Sequence, residues 1–334
     1  MKSSSMLYIL LFIVTCIFAE SVPQVQSDKE EILFLKEKIK SLEVELANYK
    51  KVKPLSTMGV ISSKESVLKS ITTNKKFILE KKIPIKLSTY YVAKYQSVRQ
   101  LKSKLEKNGF IILAIDEIFN NKYVLTITNE ELKQTNSFLA TLHLLVNEEK
   151  EIRIQNPSYF GAAYLQEKFK YGQFKNTLIA LENVFGEMYE TEDRLNFTDL
   201  WDYNFMLGMP HFEDTFVIGR GDYVLKILET KEVQKNISYK IKLPNGAILI
   251  GHKLKNSTYA YLDKIAARNN ALIFPYQVMI KGEKAYMLSP RYYLALSLPM
   301  LSMTDFMKIA SAPQEIKKEI KQIYNKIEKK VTLQ

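Results

Sequence analysis

LHLLVNEEKEIRIQNPSYFGAAYL, from Leu142 to Leu165, and PYQVMIKGEKAYMLSPRYYLALSL, from Pro275 to Leu298, align without a gap 133 residues apart. They match at Pro157/Pro290, Tyr159/Tyr292, Ala162/Ala295 and Leu165/Leu298. Each opens on an apolar run, breaks at a charged turn, resumes in a second short run, and then meets a proline followed by aromatic residues. Proline lacks the N–H that a first helical turn leaves unused, so it suits the opening of a helix after an extended run. The reading is strand, turn, strand, helix, used twice, and it predicts an α+β protein made of two related antiparallel sheet-plus-helix domains.

Upstream of the first stretch, FILEKKIPIKLSTYYVAKY carries short β-rich runs. SVRQLKSKLEKNG places Val98, Leu101 and Leu105 on one helical face and ends at Gly109, a glycine where a C-terminal cap belongs. FIILAIDEI and YVLTITNEEL are strand candidates rich in β-branched and aromatic residues, and FKNTLIALENVFGEM reads as a closing helix. In the second copy, KIKLPNGAILIGHKL gives two strands around Pro244-Asn245-Gly246, because Asn-Gly adopts the positive φ angles of a hairpin turn. YAYLDKIAARNN supplies a helix. The second copy's opening strand and helix are not evident, and Gly219-Arg220-Gly221-Asp222, between FVI and YVL, reads as a hairpin turn. QEIKKEIKQIYNKIEKKV sets Ile316, Ile320, Ile323 and Ile327 against a lysine-rich face.

At 334 residues and 46% hydrophobic content the chain can bury a large core and suits two domains. At its start, Lys2 precedes the apolar run Met6 to Phe18, closed by Ala19 and Glu20, which reads as a secretory signal peptide over 1–19. The run is shorter than the ~20 apolar residues of a membrane-spanning helix, so no transmembrane span is expected in the mature chain. Cys16, the one cysteine, sits inside the leader, so the mature chain carries no thiol; the alternative is lipid anchoring through Cys16. Either way a periplasmic or secreted location is expected. From Asp28 to Lys51, Ile32, Leu35, Ile39, Leu42, Leu46 and Tyr49 alternate steps of three and four, the seam of a coiled coil, or of one amphipathic helix docked on its own domain. The expected organisation is a leader over 1–19, a coiled-coil helix over 28–52, a linker over 53–76, α+β domains over 77–190 and 191–312, and a C-terminal amphipathic helix over 313–334.

A strand ending in polar residues, a helical segment, then strand, turn, strand and a Pro-x-Tyr helix start, as in VLTITNEEL with LHLLVNEEKEIRIQNPSYF and AILIGHKL with IFPYQVMIKGEKAYMLSPRYY, resembles the bacterial family catalogued as domain of unknown function 302. The resemblance spans about two thirds of the chain and implies a TATA-binding-protein-like fold for each copy, an antiparallel sheet gripping a helix. It implies no reaction and no ligand.

Catalytic chemistry finds no recognisable pattern. There is no HExxH, CxxC, nucleophile elbow or phosphate loop in the sequence. Three histidines are too scattered for a metal site, and His143 and His252 in strands read as structural. No catalytic residue, metal or cofactor is therefore assigned. The least implausible polar group is His211, Asp214 and Arg220, while Tyr159, Phe160, Tyr292 and Tyr293 are candidates for an apolar ligand cavity between sheet and helix. A net charge of +12 favours anionic surfaces, but the leader argues against nucleic acid. The leading expectation is an exported, non-enzymatic binding or scaffold protein that forms a homo-oligomer and meets an envelope protein or anionic envelope surface. Small apolar ligand or lipid binding is the alternative, and an enzyme of unrecognised type the third.

Overall fold

The computed structural model of the chain describes residues 72–79, 82–147, 151–221, 223–227 and 229–331. The leader, Cys16 and the heptad stretch 28–52 lie outside these residues. The described residues fall within the compact unit Val67–Gln334. Its first half runs β1 (Thr72–Lys76), β2 (Lys86–Ser88), β3 (Tyr90–Lys94), α1 (Val98–Lys107), β4 (Ile111–Phe119), β5 (Lys122–Thr128), α2 (Glu130–Lys133), β6 (Leu142–Asn147), β7 (Glu151–Gln155), α3 (Pro157–Leu165), α4 (Lys175–Phe185), β8 (Met188–Thr191), β9 (Arg194–Asn196) and α5 (Phe197–Leu200). The second runs β10 (Phe216–Arg220), α6 (Tyr223–Ile227), α7 (Lys231–Gln234), β11 (Ile237–Lys242), β12 (Ile248–His252), α8 (Asn256–Tyr259), α9 (Tyr261–Lys264), β13 (Tyr276–Lys281), β14 (Lys284–Met287), α10 (Pro290–Ser297), α11 (Met303–Lys308) and α12 (Ala312–Val331). The protein is α+β with antiparallel sheets.

One sheet has the order β1-β8-β3-β7-β6-β5-β4, a second β10-β14-β13-β12-β11, and β2 and β9 pair as a two-stranded sheet. With β3 set against β10 and β4 to β7 against β11 to β14, the five shared positions have the same order. In that shared order Phe216–Arg220, in register with β14, takes the place that β3 has in the larger sheet. The hairpin expected at Gly219-Arg220-Gly221-Asp222 is instead a strand-to-helix turn. Gly221 takes a φ of 96°, its backbone N–H donates to Glu283 O at 2.8 Å, and Tyr223 starts α6. An apolar run of three residues cannot by itself tell a strand from a helix, and YVL belongs to the helix.

Local chemistry explains the other boundaries. α1 begins in a capping box, with the Ser97 side chain accepting from the Gln100 backbone and the Gln100 side chain accepting in return, and it buries Leu101 and Leu105. α3 and α10 each carry their proline in the first turn. The segment read as one helix from Tyr259 is broken into α8, α9 and the 3-10 turn Arg268–Ile273. β1 lies in the stretch read as linker and pairs with β8. α12 buries Ile316, Ile320 and Tyr324, as its apolar face requires, and packs on β10 and α10.

The hairpins show that the gapless repeat is one residue out of step in its first strand. Asn147 pairs with Glu151 across three intervening residues, whereas Lys281 pairs with Lys284 across two. Leu144 opposite Ile154 therefore corresponds to Val278 opposite Met287. His143 then corresponds to Gln277. Because side chains alternate along a strand, one step decides which face each residue occupies.

Candidate functional site

Tyr159 and Tyr292 of the two matching stretches each reach across to the other half of the chain. The last carbonyls of a helix have no partner within it and must find donors elsewhere when buried. At the end of α10 three tyrosine hydroxyls do this: Tyr203 donates to Ala295 O at 3.1 Å, Tyr159 to Leu296 O at 2.8 Å and Tyr90 to Ser297 O at 2.7 Å. In the other direction Tyr292 donates to Ala163 O of α3 at 3.4 Å. Tyr159 and Tyr292 are aligned positions in the two matching stretches, and so are Ala163 and Leu296, so the two bonds are reciprocal. Burial raises the hydroxyls of Tyr90, Tyr159 and Tyr292 well above the usual phenol range, so they remain neutral donors.

Phe160 packs edge-on to Tyr159 with ring centroids 5.2 Å apart and lies against Tyr90 and Tyr164. Tyr293 donates to Ile273 O at 2.7 Å and meets Tyr276 in a T-shaped contact. Tyr159, Phe160, Tyr292 and Tyr293 are all buried. As the structure stands, these four positions bind the protein to itself.

A second joint is polar and was missed at the sequence level. In-register neighbours share a face, so Thr126, His143, Asn147, Arg153, Gln155 and Tyr90 all lie on one side of the larger sheet. Residues of the second half of the chain pack on this side. His143 Nδ1 donates to Leu272 O at 2.9 Å, Asn147 Nδ2 donates to Asn269 Oδ1 at 3.3 Å, and Arg153 NH1 donates to Asn270 Oδ1 at 3.1 Å. Arg153 also donates to Glu151 Oε1 at 3.1 Å, lies 3.9 Å from buried Asp193, and stacks its guanidinium over the Tyr90 ring.

The reverse contact runs from Gln277, whose Nε2 donates to Thr141 Oγ1 at 2.8 Å and to the Tyr239 hydroxyl at 2.9 Å. Tyr239 reaches this point because its ring crosses Gly251, where a Cβ would stand 2.2 Å from the ring. At the sheet margins Asp116 of β4 accepts from Ser238 of β11 and is paired with Lys253 Nζ at 2.8 Å. Alternation alone would send IRIQ outward on its polar side; here Tyr90, Asp193 and, from the second half of the chain, Asn270 surround Arg153.

His211 is held at both ring nitrogens. His211 Nδ1–H donates to Asp202 Oδ1 at 2.8 Å, and Nε2 accepts from Asn204 Nδ2 at 3.0 Å. The His211 backbone N–H donates to Asp214 Oδ2 at 2.8 Å, so His211 and Asp214 come together as a loop closure. Arg220 stands on β10 opposite Lys284. His143 and His252 are buried and held neutral, their pKa values lowered to about 4 by desolvation. His252 Nε2 meets the Tyr324 hydroxyl at 2.9 Å and so ties the second sheet to α12.

Among the described residues no three or more His, Cys, Asp or Glu side chains are placed to hold a metal ion. No helix among them is long and apolar enough to cross a membrane. A cleft beside the N-terminus of α3, lined by Leu79, Leu87, Tyr91, Leu178, Asn156 and Ser158, has a cavity volume of about 20 Å³. That is space for a water molecule, far short of a drug-sized ligand. Comparison with protein-family models, with curated proteins and with solved structures finds no match.

Proposed function

We propose that the chain is an exported, non-enzymatic binding or scaffold protein, self-associating through the heptad stretch 28–52 and presenting two related domains fused into one body. The observation that carries this reading is the reciprocal pair Tyr159 to Leu296 and Tyr292 to Ala163. The residues repeated between the copies are used to join them, which leaves the unrepeated surfaces to meet other molecules. The common strand order supports a duplicated unit, and an antiparallel sheet backed by helices is what the resemblance to domain of unknown function 302 implies for each. Export and an envelope setting rest on the leader.

Light scattering coupled to size exclusion, on the chain from Glu20 onward, tests the assembly. A dimer or trimer is expected, reduced to a monomer by Leu35→Lys with Leu42→Lys. A monomer before substitution would sink the stalk reading.

A further inference from the structure

Between Arg194 and Arg220 the chain carries Asp199, Asp202, Glu213 and Asp214 and no lysine or arginine, in a protein of net charge +12. This acidic stretch is also rich in apolar and aromatic residues: Leu200, Trp201, Phe205, Met206, Leu207, Met209 and Phe212. Part of that content is internal. Leu200 is buried, Tyr203 caps α10, and Phe212 packs on Tyr164 and Tyr292. Part of it is not. Leu207 is 47% exposed, and the loop meets α11 through the stacked rings of Phe205 and Phe306, 5.5 Å apart.

Around Phe306 the α11 segment places Met300, Met303 and Met307 in solvent, at 54%, 39% and 45% exposure. Met303 and Met307 are four residues apart and share a face of α11. The lysine that follows them, Lys308, is paired with Asp305 at 2.8 Å. On the loop side the carboxylates of Asp202, Glu213 and Asp214 are exposed, and the bonds from His211 to Asp202 and Asp214 gather two of them at one place.

We propose that this surface, Leu207 with Met300, Met303 and Met307 beside the acidic loop, docks a basic amphipathic helix of a partner protein. Charge decides the occupant. A partner drawn by the protein's general charge would be acidic, whereas this surface is the local exception and complements lysine or arginine flanking an apolar stripe. Flexible, polarisable methionine side chains adapt to such a stripe without needing one fixed shape. The inference rests on the binding-module reading above and assigns it a surface.

The test uses labelled 18-residue helical peptides and fluorescence anisotropy with the full chain. The probes are a leucine–lysine amphipath, its scrambled counterpart and a leucine–glutamate amphipath. The expected result is micromolar binding of the leucine–lysine amphipath alone. That binding should weaken at least tenfold in the triple variant Leu207→Ser, Met303→Ser, Met307→Ser, and again in Glu213→Gln with Asp214→Asn. All these positions are exposed, and unchanged thermal melting checks that each variant is folded. Equal binding of the scrambled or acidic peptide would overturn the proposal, as would undiminished binding by the folded triple variant. Patch-dependent binding to anionic phosphatidylglycerol vesicles, or loss of self-association in the triple variant, would assign the surface to another occupant and also overturn it. Failure of the peptide result with self-association through 28–52 intact leaves the scaffold reading standing. A monomer that binds the peptide does the reverse.

Discussion

Replacing Tyr159 and Tyr292 by phenylalanine tests the reciprocal joint directly. A sequence duplication alone would make the two substitutions equivalent; the geometry does not. Tyr159→Phe removes a donor at 2.8 Å and leaves the Leu296 carbonyl buried without its tyrosine partner, since both groups are shielded from water. An orphaned buried acceptor costs about 1–3 kcal/mol, and about 2 kcal/mol is expected here. Tyr292→Phe removes a bond at the outer limit of 3.4 Å and should cost under about 1 kcal/mol, since long hydrogen bonds are weak. The double variant should lose about 2.5 kcal/mol, near the sum, because each substitution removes its own donor–acceptor pair. Urea unfolding followed by circular dichroism reads all three, with m unchanged if the native surface is intact. Equal costs for the two single variants, or a Tyr159→Phe cost below about 0.5 kcal/mol, would refute the claim that these hydroxyls hold the copies together.

Acid should weaken the fold through His143 and His252. Their folded pKa values lie at about 4, below the ordinary 6.5, so the unfolded chain binds protons that the folded one refuses. The contribution is full above pH 6.5 and declines as pH falls towards 4, by up to about 3 kcal/mol for each histidine at 1.36 kcal/mol per pKa unit. Urea midpoints between pH 7.5 and 4.5 measure the slope, and His143→Gln, which installs the residue type of the equivalent position 277, should reduce it; an unchanged slope would exclude His143 as a source. Gly251→Ala should destabilise by about 3 kcal/mol, because the new Cβ forces Tyr239 off Thr141 and Gln277; a thermal melt matching the parent would show that the ring can yield. Arg153→Met should cost about 3–5 kcal/mol by leaving buried Asp193 without its neighbouring cation, and a loss under about 1 kcal/mol in urea would mean that the charges are not coupled.

Periodicity exposed the elements that bury one face and end in a clear signal. Val98, Leu101 and Leu105 marked α1, Asn245-Gly246 marked the β11–β12 turn, and the isoleucines of α12 marked its packed side. It failed where context decides. β10 is short, carries glycine and arginine, and is recognisable only from its pairing with β14. α8 and α9 form a broken segment whose apolar residues face more than one neighbour, so a single helical period was the wrong template. Tyr159, Phe160, Tyr292 and Tyr293 drew attention because they repeat, and repetition in a folded pair marks the contact between copies as readily as a ligand site. Arg153 drew none, since a charged residue in an alternating strand reads as solvent-facing until a second layer covers it.

The two larger sheets share a strand order but differ at their edges and contacts. The larger sheet continues past β3 to β8 and β1, whereas the equivalent edge at β10 gains no described strand. The 3-10 turn Arg268–Ile273 lies on β6 and β7 and receives His143, Asn147 and Arg153, whereas the contacts on the other side run from Gln277 and Tyr239 to Thr141 and from the Asn245 backbone N–H to Asn136 Oδ1. A symmetric joint would need only complementary apolar faces. An asymmetric polar one can be formed in a single arrangement, because any slip leaves a guanidinium, a carboxylate and several amides buried without partners, and each such group costs more than a displaced methyl. Buried polar pairs of this kind restrict the arrangements open to the two sheets more sharply than apolar packing does. Tyr203 of the acidic stretch donates to the last turn of α10, so the joint and the acidic, methionine-bearing surface are connected through that helix.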